Sequence, residues 1–129
     1  MKQIEIKGTE KSPKFILEPT RGSIKILGRS TMLNPHEFYH STIRMLVEYS
    51  ENPPKETNLF IDLEYYNTLS SRYILNILKI ISRINHQQNS TAKIVWYVEE
   101  DDIGIRDDIK LFSDLINHKI HMIEYEMAY

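Results

Sequence analysis

Two short stretches of this chain put chemistry-bearing side chains at a usable spacing. The first, His36-Glu37-Phe38-Tyr39-His40, fits H-E-x-x-H. On a helix that spacing sets two imidazoles on one face with a carboxylate between them, as in zinc hydrolases, where the glutamate serves as general base. Such a site needs a third protein ligand, which His86, His118, His121 or a distant carboxylate would have to supply. Pro35 sets His36 in the first helical turn, where the end frays and a rigid ligand pair is hard to hold. Glu37 also falls where a capping box uses its carboxylate. His118 and His121, three apart beside a β-rich run, belong on opposite faces of a strand and make poor co-ligands. The spacing therefore predicts exposed or partly packed histidines and no metal, with a zinc-dependent hydrolase on the HEFYH segment kept as the alternative.

The second stretch is Asn67-Thr68-Leu69-Ser70-Ser71-Arg72, three hydroxyls between the end of a strand-like run and the start of a helical one. In open α/β sheets that edge is where ligands and switches gather. A helix start offers unpaired N–H groups and the positive end of the dipole, which together favour a phosphate, and Arg72 adds a cation. The simpler reading makes Thr68 or Ser70 the helix N-cap. Position alone favours the cap, because Ser and Thr are common at that place.

Other catalytic signals are missing. No G-x-S-x-G elbow occurs, the four glycines do not cluster into a phosphate loop, and there is no cysteine for a disulfide, a thiolate nucleophile or a zinc ribbon. Sixteen basic and eighteen acidic residues give a net charge of −2, which argues against a nucleic-acid binder. The charge is uneven: residues 1–50 carry eight basic and five acidic side chains (+3), and residues 51–129 carry eight and thirteen (−5). That acidic C-terminal part reads either as a docking surface for a basic partner or as ordinary solvated helix faces and caps.

The elements that must position these groups follow from hydrophobic period. At 129 residues and 41% hydrophobic content the chain reads as one domain over 1–129, long enough to bury roughly two thirds of its unfolded surface. The opening residues lack the apolar stretch of a signal peptide, and Tyr73 to Ile84 is interrupted by Asn76, Lys79 and Arg83, so no membrane segment and a cytoplasmic location are expected. Ile4 and Ile6 read as a short strand. Phe15–Leu17 and Ser23–Leu27 flank Pro19 and Gly22 as a hairpin, with Gly28 closing its second strand. Asn34 as N-cap, Pro35 at the first helical position and a Leu33–Phe38 staple start a helix whose core face is Phe38, Thr42, Met45, Leu46 and Tyr49.

Asn58 to Tyr66 alternates, with Leu59, Ile61, Leu63 and Tyr65 on one face. A second helix, starting near Ser70, buries Ile74, Ile77, Leu78, Ile81 and Ile84. A polar loop spans 86–90, Ala92 to Val98 forms a central strand, and a third helix buries Ile105, Ile109, Phe112 and Leu115 before a last strand from Ile120 to Tyr125. The result is an α/β fold of order βββ-α-β-α-β-α-β: a single mixed sheet with three packed helices, its crossover strands parallel.

A set of collinear pieces matches a known family: Gly8-Thr9 through Ser12-Pro13, Glu18-Pro19 through Gly22, Ile26 through Gly28-Arg29-Ser30, Pro35, Phe38-Tyr39, and Leu46 to Tyr49. Leu63-Glu64-Tyr65, Asn67-Thr68 with Ser70-Ser71, Trp96-Tyr97 and Glu99 to Asp102 continue it. On these residues the chain resembles the SiaC family of bacterial regulatory phosphoproteins over nearly its whole length. Ser41 and Met45 stand where the pattern has Pro and Trp, Arg72 replaces a usual Lys, and Gly104-Ile105-Arg106 loosens the acidic stretch.

The resemblance implies a STAS-like (anti-anti-sigma) fold and a non-enzymatic switch without cofactor. It implies a Ser/Thr kinase, a PP2C-like phosphatase and, as the partner bound by the unphosphorylated form, a diguanylate cyclase or other effector. The family's phosphoacceptor falls on Thr68, with Asn67, Ser70, Ser71 and Arg72 as its surroundings and Glu99, Glu100, Asp101 and Asp102 as a partner-facing edge. A constitutive scaffold without modification is the blander alternative.

Overall fold

The computed structural model describes residues 1–87 and 89–126. Gln88, inside the expected polar loop, and the last three residues of the expected 1–129 domain lie outside the described residues. The elements are β1 (Ile4–Ile6), β2 (Lys14–Glu18), β3 (Ser23–Ser30), α1 (His36–Glu51), β4 (Glu56–Tyr66), α2 (Thr68–Ile84), β5 (Thr91–Glu99), α3 (Ile103–Ile116) and β6 (Ile120–Tyr125). They build one six-stranded sheet in sequential order β1 to β6. The first three strands pair antiparallel, and β3 through β6 pair parallel, each crossover carrying one helix. This is the expected α/β order and mixed sheet.

Successive crossovers step in the same direction across the sheet, so a constant right hand puts all three helices on one face. Alternation records it. Phe15, Leu17, Ile24, Ile26, Leu59, Ile61, Leu63, Ile94, Trp96 and Val98 are buried under the helices, while their sequence neighbours are mostly half-buried on the other face. Helix α2 lies at the centre, and its expected stripe of Ile74, Ile77, Leu78, Ile81 and Ile84 is buried without exception. Each such aliphatic side chain contributes about 1.5–3 kcal/mol of transfer free energy. Trp96, the sole tryptophan, is fully buried and stacks on Phe112 with ring centroids 6.0 Å apart. Its Nε1–H has no hydrogen-bond partner among the described residues.

The turn between β2 and β3 closes through Gly22, whose N–H donates to the Pro19 carbonyl over 3.3 Å. Gly22 adopts φ +67°, and an added Cβ would collide with the Glu56 carbonyl oxygen at the start of β4. The hairpin thus docks on the parallel sheet where only glycine fits.

Several expectations need correction. Strand β3 does not end at Gly28 but runs on to Ser30, with Gly28 at φ +111° beside a register shift. Across that shift Gly28 pairs with Leu63 and Arg29 with Tyr65, leaving Glu64 as the extra residue of a bulge. One extra residue exchanges the faces beyond it. Tyr65, expected on the face of Leu59, Ile61 and Leu63, is therefore exposed over Arg29, and Tyr66 turns inward, its ring 6.1 Å from Trp96.

In α1 the fully buried aromatic is Tyr39, with Phe38 and Met45 only packed against the core. The cap position belongs to Pro35, in αR geometry with no side-chain cap bond, so Asn34 does not cap. Leu33 is 89% exposed and forms no staple with Phe38, because the chain enters the helix through Pro35 already in helical geometry. In α3, Leu115 is exposed and Ile116 packs against the core.

Candidate functional site

Helix α2 begins two residues earlier than the apolar stripe suggests, at Thr68. Its cap is neither Thr68 nor Ser70 but Asn67, in extended geometry, whose Oδ1 accepts from the Ser70 N–H at 2.9 Å. The rest of Asn67 is tied down as well: its Nδ2 donates to the Met32 carbonyl at 3.0 Å and its backbone N–H to the Ser30 carbonyl at 3.0 Å. The three hydroxyls of the segment meet three different fates. Ser70 is fully buried, Ser71 Oγ is spent on the Thr68 carbonyl at 2.7 Å, and the Thr68 side chain is exposed with no hydrogen-bond partner among the described residues.

Beneath Thr68 lies a buried hydroxyl relay. Ser70 Oγ donates to the Ser30 carbonyl at 3.0 Å, and Ser30 Oγ donates to Ser70 Oγ at 2.8 Å. With the Ser30 proton committed, the Tyr39 hydroxyl is the donor in its contact with Ser30 Oγ. Burial raises the Tyr39 phenol to about 12, against a smaller downward pull from Ser30 and Ser70. The relay joins α1, the end of β3 and the first turn of α2, so the backbone presenting Thr68 is fixed from three sides. Arg72 is exposed one turn along α2 from Thr68 and forms no ion pair among the described residues.

Strands β4 and β5 are parallel neighbours, so the Thr68 segment and the acidic run leave the sheet at the same end. The four acidic residues are not equivalent there. Asp102 caps α3, accepting from the Ile105 N–H at 3.0 Å. Glu99 is the last residue of β5, and strand alternation puts it on the helix-free face. Glu100 and Asp101 are exposed in the turn between. Arg106 holds that turn, donating to the Glu100 carbonyl at 2.8 Å and pairing with Glu124 at 2.5 Å. Nearby, Tyr66 donates to Asp108 Oδ2 at 2.6 Å, and burial, followed by Asp108, pushes its phenol far above the ordinary value.

The same end of the sheet carries exposed apolar side chains to which the amino-acid pattern gave no binding role: Leu33 at 89%, Ile103 at 70%, Leu69 at 52% and Tyr65 at 46% exposure. Leu33 precedes α1, Leu69 is the second residue of α2, and Ile103 is the first of α3. Three consecutive β–α junctions therefore each offer an apolar residue to solvent at the sheet end that carries Thr68. The available signal was an apolar residue at each junction, but hydropathy alone assigns such residues to staples and cores.

The HEFYH segment does different work. His36 and His40 are exposed, their rings stacked 5.1 Å apart, and His36 Nδ1 lies 3.3 Å from the Tyr73 hydroxyl. Tyr73 in turn stacks on Tyr39 at 5.1 Å, so the segment packs α1 onto α2. No cluster of three or more metal-ligating side chains exists among the described residues. His118 lies before β6 rather than on it, so strand alternation does not apply, and it lines one shallow pocket with His121 instead of the opposite face. No helix among the described residues is long and apolar enough to cross a membrane.

Comparison with known proteins bears on the fold that carries this site. No curated protein matches the chain. Among solved structures, SiaC of Pseudomonas aeruginosa is similar at 18% identity and a TM-score of 0.85, covering 97% of this chain and 100% of that one. The apo form of SiaC from the same organism gives 20% identity and a TM-score of 0.81 over 95% and 98%. A third structure, the P. aeruginosa diguanylate cyclase SiaD in complex with its activator SiaC, gives 18% identity and 0.84 over 95% and 99%. At these identities the likeness is one of fold. The profile of the SiaC family regulatory phosphoproteins matches residues 6–125, and over that span, which holds every element but the first two residues of β1, the chain belongs to the SiaC family.

Proposed function

We propose that the chain is a non-catalytic, phosphorylation-switched regulator that docks on an effector protein when unmodified and is released when a Ser/Thr kinase phosphorylates Thr68. A PP2C-like phosphatase restores the binding form, and the cycle runs in the cytoplasm. The effector class carried over from the similar P. aeruginosa structure, in which SiaC is the activator of SiaD, is a diguanylate cyclase.

The observation that carries this reading is the exposed, unbonded Thr68 hydroxyl beside a buried Ser70 and a committed Ser71. A phosphate there adds about −1.5 to −2 charge and three acceptor oxygens. The α2 N-terminus and Arg72 tolerate that charge within the fold. The effector does not. The phosphate occupies the centre of a rim whose anchors are Leu33, Leu69 and Ile103, and it adds to the negative charge of Glu100 and Asp101. Release then follows from steric and charge mismatch, with little refolding.

The test uses the purified chain, the Ser/Thr kinase of its own host and ATP. Thr68→Ala is expected to abolish the phosphate-sized mass increment while retaining binding to the host's diguanylate cyclase. Labelling that persists in Thr68→Ala, or a native chain from its host that never carries the increment, overturns the switch and leaves the constitutive scaffold.

A further inference from the structure

The end of the sheet opposite Thr68, where β4, β5 and β6 begin, holds a pocket of about 580 Å³. That volume falls within the roughly 300–1,000 Å³ of small-ligand sites. Strand register gathers its cations. Asn58 on β4 pairs with Lys93 on β5, and Ile94 pairs with Ile120, so Lys119, just before β6, stands beside Lys93. Adjacent strands lie about 4.8 Å apart, and like charges opposed across them destabilise a sheet. Both lysines are exposed, and neither forms an ion pair among the described residues. His121 lines the same pocket. Its imidazole is held below its ordinary value by desolvation and then by Lys119, Lys93 and His118, with no carboxylate offsetting them. Glu56, the one carboxylate among the described lining residues, thus leaves the field at His121 positive.

The other lining residues set the character of a ligand. His118 is already spent: its Nδ1 faces the Lys119 carbonyl at 2.9 Å and its Nε2 the Ala92 carbonyl at 3.2 Å, which ties the approach to β6 to the start of β5. Asn85 Oδ1 accepts from the Ala92 N–H at 2.9 Å and leaves its amide N–H donors for a ligand. No Phe, Tyr or Trp lines the pocket among the described residues, and Ala92 is its one aliphatic residue, so a nucleobase or a lipid chain gains nothing there. The C-terminal ends of α2 and α3, at Asn85 and Asn117, also reach this pocket. Each carries about half a negative charge, so attraction for an anion has to come from the lysines. Two ammonium groups side by side call for an anion of two charges or more. A phosphate group meets that demand, with about −1.5 to −2 charge and three acceptor oxygens for ammonium and amide donors.

We propose that this pocket binds a small phosphate compound carrying two or more negative charges, held by Lys93 and Lys119 with Asn85 as an amide donor. It is independent of the reading of Thr68. An NMR titration of the purified full chain with pyrophosphate at constant ionic strength is expected to give saturable shifts at Asn85, Lys93, Lys119 and His121, with inorganic phosphate weaker and chloride inert. Bound pyrophosphate offsets the field of the lysines, so the His121 imidazole is expected to take its proton at a higher pH. Lys93→Gln with Lys119→Gln is expected to weaken pyrophosphate binding at least tenfold, and each single replacement about threefold or more, so the test does not rest on one variant. Without ligand the double variant is expected to melt no lower than wild type, because an opposed like-charge pair is gone. It is also expected to lose the rise in Tm that pyrophosphate gives the wild-type chain. Shifts that chloride reproduces, shifts that do not saturate, or folded variants that bind as tightly as wild type would each overturn the proposal. A response confined to Thr68 and the first turn of α2 would overturn it as well, while leaving the reading of Thr68 intact.

Discussion

Ser30 and Ser70, forty residues apart in sequence, exchange two hydrogen bonds in the interior, Oγ to Oγ at 2.8 Å and Ser70 Oγ to the Ser30 carbonyl at 3.0 Å. Together with Tyr39 they fasten the first turn of α2 to the end of β3, directly behind the exposed Thr68. The direction of each bond sets what its loss costs. Ser70→Ala leaves the Ser30 hydroxyl proton without an acceptor, and Ser30→Ala does the same to the Tyr39 phenol. Each is expected to destabilise the chain by about 1–3 kcal/mol. Tyr39→Phe strands no donor and is expected to cost about 1 kcal/mol. Urea unfolding of the three variants checks the order, which fails if Tyr39→Phe is the most damaging.

The Tyr39 phenol also makes stability depend on alkali. Its native value of about 12 lies above the ordinary 10, so the neutral form is favoured by folding. That contribution is complete below pH 10 and is lost as pH rises toward 12, by about 2–3 kcal/mol in all. Other raised tyrosines slope the same way, so the wild-type curve minus that of Tyr39→Phe isolates this group. Parallel curves from pH 9 to pH 11.5 would remove the assignment.

Replacing Thr68 with Asp is expected to separate folding from docking. A carboxylate in the first turn of α2 meets the positive end of the helix dipole, so stability should rise by about 0.3–1 kcal/mol at low salt. Affinity for the effector should fall instead. Thermal melts and calorimetric titration with the host's diguanylate cyclase read the two effects, and a variant that binds as tightly as wild type contradicts the mismatch mechanism.

Leu69→Ala removes an exposed side chain and is expected to leave unfolding within about 0.5 kcal/mol of wild type. If the junction leucines and Ile103 anchor the effector, the same change should weaken binding by about 1–2 kcal/mol, and Glu100→Gln should act mainly on the association rate. Stopped-flow binding at two salt concentrations distinguishes anchor from steering charge.

Gly22→Ala should be the most destructive single methyl in the molecule. The added carbon meets the Glu56 carbonyl at a positive φ, and a loss of more than about 3 kcal/mol is expected in thermal unfolding.

The order of elements and the α2 stripe were legible because they rest on local period alone. What escaped depends on partners far along the chain. The bulge opposite Gly28 inverts Tyr65 and Tyr66, and strand alternation read along β4 cannot show that its neighbour slips by one residue. Phe38 and Tyr39 both suit an apolar helix face. Tyr39 takes the interior because Ser30 waits there to receive its hydroxyl. At the site, Asn67, Thr68 and Ser70 are all good capping types, so composition could not choose among them. Asn67 wins because its amide also reaches Met32 and its N–H reaches Ser30.

The lone indole of Trp96 gives the protein a built-in optical gauge. Sealed from water and set against Phe112 and Tyr66, it should emit at short wavelength in the native state and shift red when the central strand lets go. Tyr66 directly precedes the Asn67 cap, so the same fluorescence senses the neighbourhood of Thr68 without any attached dye.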